Sequence, residues 1–350
     1  VKLLMFMRDA LPPNRVDVAV LFDKTLRQLG IDTDFVGHRN TLAGSPAAPC
    51  AGRQFETGHR NDPRTLWREL RLLWKLAAAY DLIVVRDRPL VAAALFLVAR
   101  WRRRPCVYWM SFPMPLGDRV GARLHWAAGR HASAALAWLR GSVAQWVQDH
   151  FVLAQARHVF VQSQAMLAQV RGRTPLPEAR VSAVPMGVDV GCLPALDDAP
   201  PTSALRIAYL GSLDRARELD VLIDALVLVR QHHAKASLVL IGAAPLRADL
   251  AWLKDHAAAR GVAAHVVFTG ALPMATAWAQ LRSAAVCVSC IPPGPLHDVS
   301  SPTKVVEYLA LGLPVVANDI PDQRLLLEAC GGGVCVPFNA AAFAQAIVGL

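Results

Sequence analysis

Short apolar runs and segments of helical period alternate along almost the whole of this 350-residue chain, and that alternation restricts the fold more than any single motif does. LLMFM (3–7), TDFVG (33–37), DLIVVR (81–86) and CVYWMSF (106–112) have strand length. Apolar residues at helical spacing fill 16–29, 66–79 and 89–101 between them. Strands separated by helices predict an α/β protein with a parallel sheet covered on both faces. HVFVQSQAMLAQV (158–170) repeats the strand, turn and helix pattern. A chain of this length, 54% apolar, is long for one core and suits two well-filled ones. The stretch 190–204, rich in Pro, Ala and Asp, marks a linker between domains at 1–190 and 205–350, and residues 42–62, with scattered Gly, Pro, Ser and Asn, read as a loop.

The formal charge of +10 suits phosphate-bearing substrates, anionic lipid or nucleic acid. No helix-turn-helix, zinc-finger or RNP-type pattern accompanies it, so nucleic acid is not an expected partner. Seven cysteines, an odd number spread over the chain, argue against a disulfide framework and for a reducing compartment. Cys287 and Cys290 form a CxxC, but it lies in an apolar strand without a second pair at metal spacing, so no metal is expected. VKLLMFMRDA reads as a strand rather than a signal peptide, with Val1 a non-methionine start or a trimmed end. The longest apolar run, Leu90 to Ala99, is ten residues against the roughly 20 of a spanning helix. The expected location is cytoplasmic, with the inner face of the membrane as a further option.

Residues 119–155 carry Trp126, Trp138 and Trp146 beside Arg119, Arg123, Arg130 and Arg140. Indole and guanidinium together suit a membrane surface. On a continuous helix, however, spacings of 12 and 8 residues turn the three indoles by about 120° and about 80° away from one stripe. Membrane contact and core or interdomain packing both stand open for this stretch.

Chemistry concentrates at 301–319, SPTKVVEYLALGLPVVAND, the junction of a loop with an apolar helix. Lys304 offers a point charge for phosphate and Glu307 can accept hydrogen bonds from sugar hydroxyls. The helix start at Pro302 and Thr303 adds unpaired N–H groups. Gly211 with Ser212, and Gly242, follow apolar strands where a missing side chain lets backbone approach phosphate.

Four segments in order, IAYLGSLDRARELDVLIDAL, SLVLIGAAPLRADLAWL, VVFTGALPMATAWAQLRSAAVCVSC and SPTKVVEYLALGLPVVANDIPDQ, resemble the C-terminal half of a retaining GT-B glycosyltransferase of the family 4 type, in an SPTK-containing subgroup. The resemblance covers 205–340. It implies two Rossmann-like domains facing each other across a cleft, the first binding the acceptor and the second the nucleotide-sugar donor. It further implies catalytic roles for Arg217, Lys304 and Glu307, and a donor site including Gly211, Ser212, Arg215, Gly242, Thr269, Gly270, Asp298, Ser301 and Thr303. The donor is a substrate, and no cofactor or metal is expected. Expected partners are that donor, a glycan or lipid-linked acceptor, and a membrane surface, in cell-surface polysaccharide synthesis.

Two positions depart from the family pattern. Ser212 stands where a basic residue is frequent, with Arg215 nearby, and Val299 stands where an acidic residue precedes the glutamate by eight positions, with His297 and Asp298 beside it. By analogy with open α/β sheets, acceptor candidates are the polar residues after first-domain strands: Arg8, Asp9, Arg86 and Ser111. The chain ends within a helical segment at AFAQAIVGL, where many relatives continue, so truncation is one expectation. Val299 and that end also admit a non-catalytic partner of another transferase. A phosphorylase or epimerase on the same fold is the enzyme alternative.

Overall fold

The structure is a computed structural model describing residues 1–13, 15–39, 50–59, 62–194 and 205–350. The chain divides into two compact units, Val1–Met186 and Gly187–Leu350. Of the 190–204 linker, Val190–Cys192 is a 3-10 turn and 195–204 lie outside the described residues.

The first unit holds seven parallel strands: β1 (Lys2–Leu11), β2 (Asp32–Arg39), β3 (Gln54–Glu56), β4 (Leu82–Arg86), β5 (Cys106–Met110), β6 (His158–Val161) and β7 (Val181–Ala183). Their order is β3-β2-β1-β4-β5-β6-β7. The helices are α1 (16–28, with a π-helical turn over Ala19–Thr25), α2 (Thr65–Leu76), α3 (Pro89–Trp101), α4 (Met114–Ala127), α5 (131–155) and α6 (Gln164–Arg173). Central strands buried on both faces require unbroken apolar runs, and Leu4 to Met7 and Ile83 to Val85 supply them. β1 bulges between Phe6 and Ala10, which pair with Val36 and His38. The bulge re-aims Arg8 and Asp9 at the sheet's carboxyl edge. Gly37 lies beneath it, where a Cβ would come within 2.8 Å of the Asp9 carbonyl.

Two expectations for this unit are corrected. Residues 50–59 of the predicted loop are not all loop: Gln54–Glu56 pairs with Phe35–Gly37 of β2 as an edge strand. Its polar sequence has no apolar run, so only the long-range pairing makes it a strand. Residues 42–49, 60 and 61 of that loop lie outside the described residues. The Trp-rich stretch is not one helix but an α4–α5 hairpin broken at Gly129, whose φ of 72° is left-handed. Its tryptophans are not core: Trp126, Trp138 and Trp146 are 61, 58 and 62% exposed.

The second unit holds β8 (Arg206–Leu210), β9 (Ser237–Ile241), β10 (Val266–Gly270), β11 (Val286–Ser289), β12 (Val315–Asn318) and β13 (Gly333–Val336), parallel in the order β10-β9-β8-β11-β12-β13. Its helices are α7 (Asp220–His232), α8 (Arg247–Ala259), α9 (Met274–Arg282), α10 (Thr303–Ala310), α11 (Pro321–Cys330) and α12 (Ala340–Gly349). Strand alternation splits the core: Tyr209, Leu240 and Val288 pack with α7 and α12, while Ala208, Val239 and Cys287 pack with α9 and α10. Cys287 and Cys290 therefore join different clusters. No helix among the described residues is long and apolar enough to cross a membrane.

Candidate functional site

In the second unit, strand order reverses between β8 and β11, and the crevice beyond their carboxyl ends is where open α/β sheets bind ligands. The loop after β8 and the segment 290–304 after β11 meet there. Tyr308, buried on α10, anchors the junction: its hydroxyl accepts from Leu210 N–H at 2.7 Å and donates to the Val288 carbonyl at 3.3 Å. Nothing in the sequence singles this residue out beyond its place in SPTKVVEY.

Lys304, on the first turn of α10, lies with Nζ 4.1 Å from the Tyr209 ring centroid. Burial, and then the positive charge of Arg217, lower its pKa from the ordinary lysine value to about 7. Glu307, one turn on, is 4% exposed, and burial raises its carboxyl to about 7 against the opposing pull of Trp278 and Lys304. A surface Lys and Glu would show neither feature. α10 has no side-chain N-cap, so its first N–H groups point toward this same space. Arg217 ends a 3-10 turn (Arg215–Arg217), Nε 3.7 Å from Asp214, and is about one-third exposed. The arrangement joins two cations, free helix N–H groups and a buried carboxyl, a combination suited to diphosphate and sugar hydroxyls.

The glycines come together around it. Gly211 N–H bonds to the Ile241 carbonyl and Gly242 N–H to that of Gly270. A Cβ on Gly211 would stand 3.2 Å from Lys304 Nζ, and one on Gly242 only 1.9 Å from the Gly211 carbonyl oxygen. Other predicted donor residues make local contacts. Ser212 donates to Asp214, Arg215 lies over Trp252 at 4.9 Å, and Thr269 donates to the Gly270 carbonyl. Asp298 accepts from Gly294 N–H, closing the loop, and Ser301 bonds to Asp322. Thr303 opens α10. Val299 is buried, whereas His297 is held to the Pro292 carbonyl, its pKa lowered by burial and by Arg217 against the opposing pull of that carbonyl, Asp298 and Asp214.

In the first unit, a cavity of about 480 Å³ opens at the carboxyl ends of β1, β2 and β4. Arg8, His38, Asp87, Arg88, Asp118 and Arg140 give it polar walls, with the first turn of α3 beside them. Of these only Arg8 was expected at a site; the others come from β2, the turn between β4 and α3, α4 and α5, with no shared motif. Arg86 instead turns inward, 2% exposed, among Asp9, Asp17 at 2.7 Å and Asp87 at 3.7 Å. Ser111 is bound through both its N–H and its hydroxyl to Asp87, a residue with left-handed φ of 55°. Arg88 bonds to buried Glu69 at 2.7 Å.

Two doubly wound parallel sheets in one chain, with a cationic donor-type crevice in the second, define the GT-B class of fold. Residues 18–191 match the family model described as Glycosyltransferase Family 4, and residues 204–350 that described as Glycosyl transferases group 1. The chain is thus built from two glycosyltransferase domains, a family 4 domain followed by a group 1 domain. No curated protein sequence matches it significantly. Among solved structures it is similar to Anabaena HepE in complex with UDP-glucose (17% identity, TM-score 0.69, covering 99% of this chain and 88% of that one). It is also similar to sucrose-phosphate synthase from Thermosynechococcus elongatus (17%, 0.68, 99% and 89%) and to WaaG, a glycosyltransferase involved in lipopolysaccharide biosynthesis (12%, 0.68, 99% and 90%).

Proposed function

We propose that this chain transfers a sugar, with retention of configuration, from a nucleotide-sugar donor bound in its second domain to a glycan or lipid-linked acceptor bound in its first, in cell-surface polysaccharide synthesis. The convergence of Lys304, Arg217 and Glu307 at the β8/β11 switch point carries this reading. The bond from the anomeric carbon to the diphosphate oxygen breaks, its electron pair staying on the diphosphate. Lys304 and Arg217 neutralise that charge. The acceptor hydroxyl attacks from the same face and passes its proton to the leaving phosphate, so no separate carboxylate base is required. Glu307 holds donor sugar hydroxyls. HepE with UDP-glucose and the lipopolysaccharide enzyme WaaG support a nucleotide-sugar donor and a cell-envelope acceptor. The cavity at Arg8 and His38 is the acceptor site in this scheme.

A thermal-shift panel of UDP, GDP, ADP, TDP and CMP with their sugar conjugates tests the donor site, since a ligand of the folded form raises Tm. One nucleotide series should shift the wild type and fail to shift Lys304→Ala. An equal shift in both would overturn the placement. Val299, at the position of the expected acid, is the feature on which the second reading, a non-catalytic partner, rests. Donor binding without turnover on any lipid-linked acceptor would select it.

A further inference from the structure

At the opposite, amino-terminal end of the first sheet, a cavity of about 370 Å³ lies before β5 and β6, remote in the fold from the cavity at Arg8 and His38. Four arginines line it: Arg100, Arg103, Arg104 and Arg157. Among the described residues no carboxylate pairs with any of the four, and the sequence carries no acidic residue from Pro89 to Gly117. Arg100, Arg103 and Arg157 are exposed, so the concavity presents positive charge to an approaching anion.

Helix ends account for only one of them: Arg104 donates to the Ala78 carbonyl, in the 3-10 turn that follows α2, at 2.9 Å. The last carbonyls of α3 are met by backbone: Val98 by Arg102 N–H, Ala99 by Arg104 N–H and Arg100 by Arg103 N–H. Those at the end of α5 are met by Arg180, which donates to the carbonyls of Leu153, Ala154 and Ala156. The backbone at Arg103 supplies a second, independent observation. Its φ is 55°, and its bonding pattern is the helix-terminating turn in which glycine usually occupies this position. An arginine there is held in the left-handed region, which L side chains disfavour. Local stability favours glycine, so the side chain has a use elsewhere.

We propose that this pocket binds a phosphate group, at a site separate from the transferase centre. Guanidiniums suit phosphate because their N–H groups bond its oxygens in pairs. Trp101, 78% exposed, follows Arg100 directly and lies 6.4 Å from Trp74, itself covered by Arg102 at 5.2 Å. Exposed indoles beside a cationic pocket fit a phosphate at a lipid surface, and the same pocket would take a soluble phosphate ester.

Arg103→Gly tests the site without harming the fold, because it removes the guanidinium and relieves the left-handed backbone. Combined with Arg157→Gln in the full chain, it should leave Tm unchanged or higher. Retention on phosphatidylglycerol vesicles, against phosphatidylcholine vesicles, reports a lipid source; a thermal shift with glycerol phosphate reports a soluble one. Whichever probe binds the wild type should lose about tenfold or more in affinity in the double variant, while Lys304→Ala keeps it. Binding of both probes unchanged in the double variant, or absent from the wild type, would overturn the proposal.

Discussion

The Nζ of Lys304 lies 4.1 Å from the centroid of the Tyr209 ring, so the ammonium meets an aromatic face rather than a carboxylate. Tyr209 is itself fully buried, and Gly211 leaves the gap that admits the lysine. An aromatic face attracts a cation without neutralising it. The site therefore keeps its positive charge available to an incoming anion, but holds it weakly while empty.

Donor affinity should accordingly depend on pH. Lys304 in the free protein titrates near 7, and a diphosphate beside it favours the ammonium. Binding then takes up a proton, and affinity falls as pH rises above about 7, approaching about tenfold per pH unit. Calorimetry in buffers of different ionisation heat measures the uptake directly. Lys304→Met should abolish both the uptake and the pH dependence.

The same two groups set a stability profile for the empty protein. Glu307, raised to about 7, binds more protons folded than unfolded between 4.5 and 7, so its contribution falls as pH rises through that window. Lys304, lowered to about 7, binds fewer protons folded than unfolded between 7 and 10.5, so its contribution rises there. Their joint contribution is lowest near pH 7. Subtracting the Tm profile of a Lys304→Met, Glu307→Gln variant from that of the wild type should show a minimum there, and a flat difference would contradict the burial of both charges.

Gly242→Ala should be destabilising where Gly312→Ala is a milder control. A Cβ at 242 would stand 1.9 Å from the Gly211 carbonyl oxygen, a backbone atom that cannot move without shifting β8, whereas one at 312 meets nothing within 4 Å. Both glycines have left-handed φ, 146° and 71°, so backbone strain is common to both. The excess cost from overpacking should be about 1–3 kcal/mol by denaturant unfolding.

Much of this architecture was legible in the chain because parallel strands buried on both faces leave unbroken apolar runs such as Leu3 to Met7. Lys304 and Glu307 were legible for a different reason: one loop and one helix turn carry both, so spacing alone places them together. Residues assembled across elements left no such trace. His38, Arg88, Asp118 and Arg140 meet in one cavity only through the packing of β2, α3, α4 and α5. Gln54–Glu56 is a strand only through its pairing with β2. Arg86 at a strand end reads as an exposed ligand-binding charge until the bulge in β1 and the turn of α1 bring Asp9 and Asp17 against it.

Tyr308→Phe isolates the anchor of the donor crevice. Losing the hydroxyl leaves the part-buried Leu210 N–H without its acceptor, at a cost of about 1 kcal/mol. Because the same hydroxyl joins α10 to β8 and β11, the variant should also weaken donor binding although it touches no ligand itself. Unfolding and nucleotide titration of the one variant read both effects, and an unchanged Tm would show that the N–H finds another partner.

Arg86→Met separates a buried structural cation from one that contacts acceptor. The guanidinium is 2% exposed and faces Asp9, Asp17 and Asp87 together. Removing it leaves Asp9 and Asp87 without their cation and Asp17 with Arg15 alone, and breaking a buried ion network in this way costs about 3–5 kcal/mol. The loss should itself depend on pH. Burial already raises the Asp87 carboxyl against the opposing pull of Arg86, so without Arg86 it rises further, the folded variant binds more protons than its unfolded chain at mildly acid pH, and the deficit shrinks as pH falls. The Tm difference between wild type and variant should therefore be smaller at acid than at alkaline pH. A variant with wild-type Tm but a raised KM for acceptor would instead assign Arg86 to the substrate.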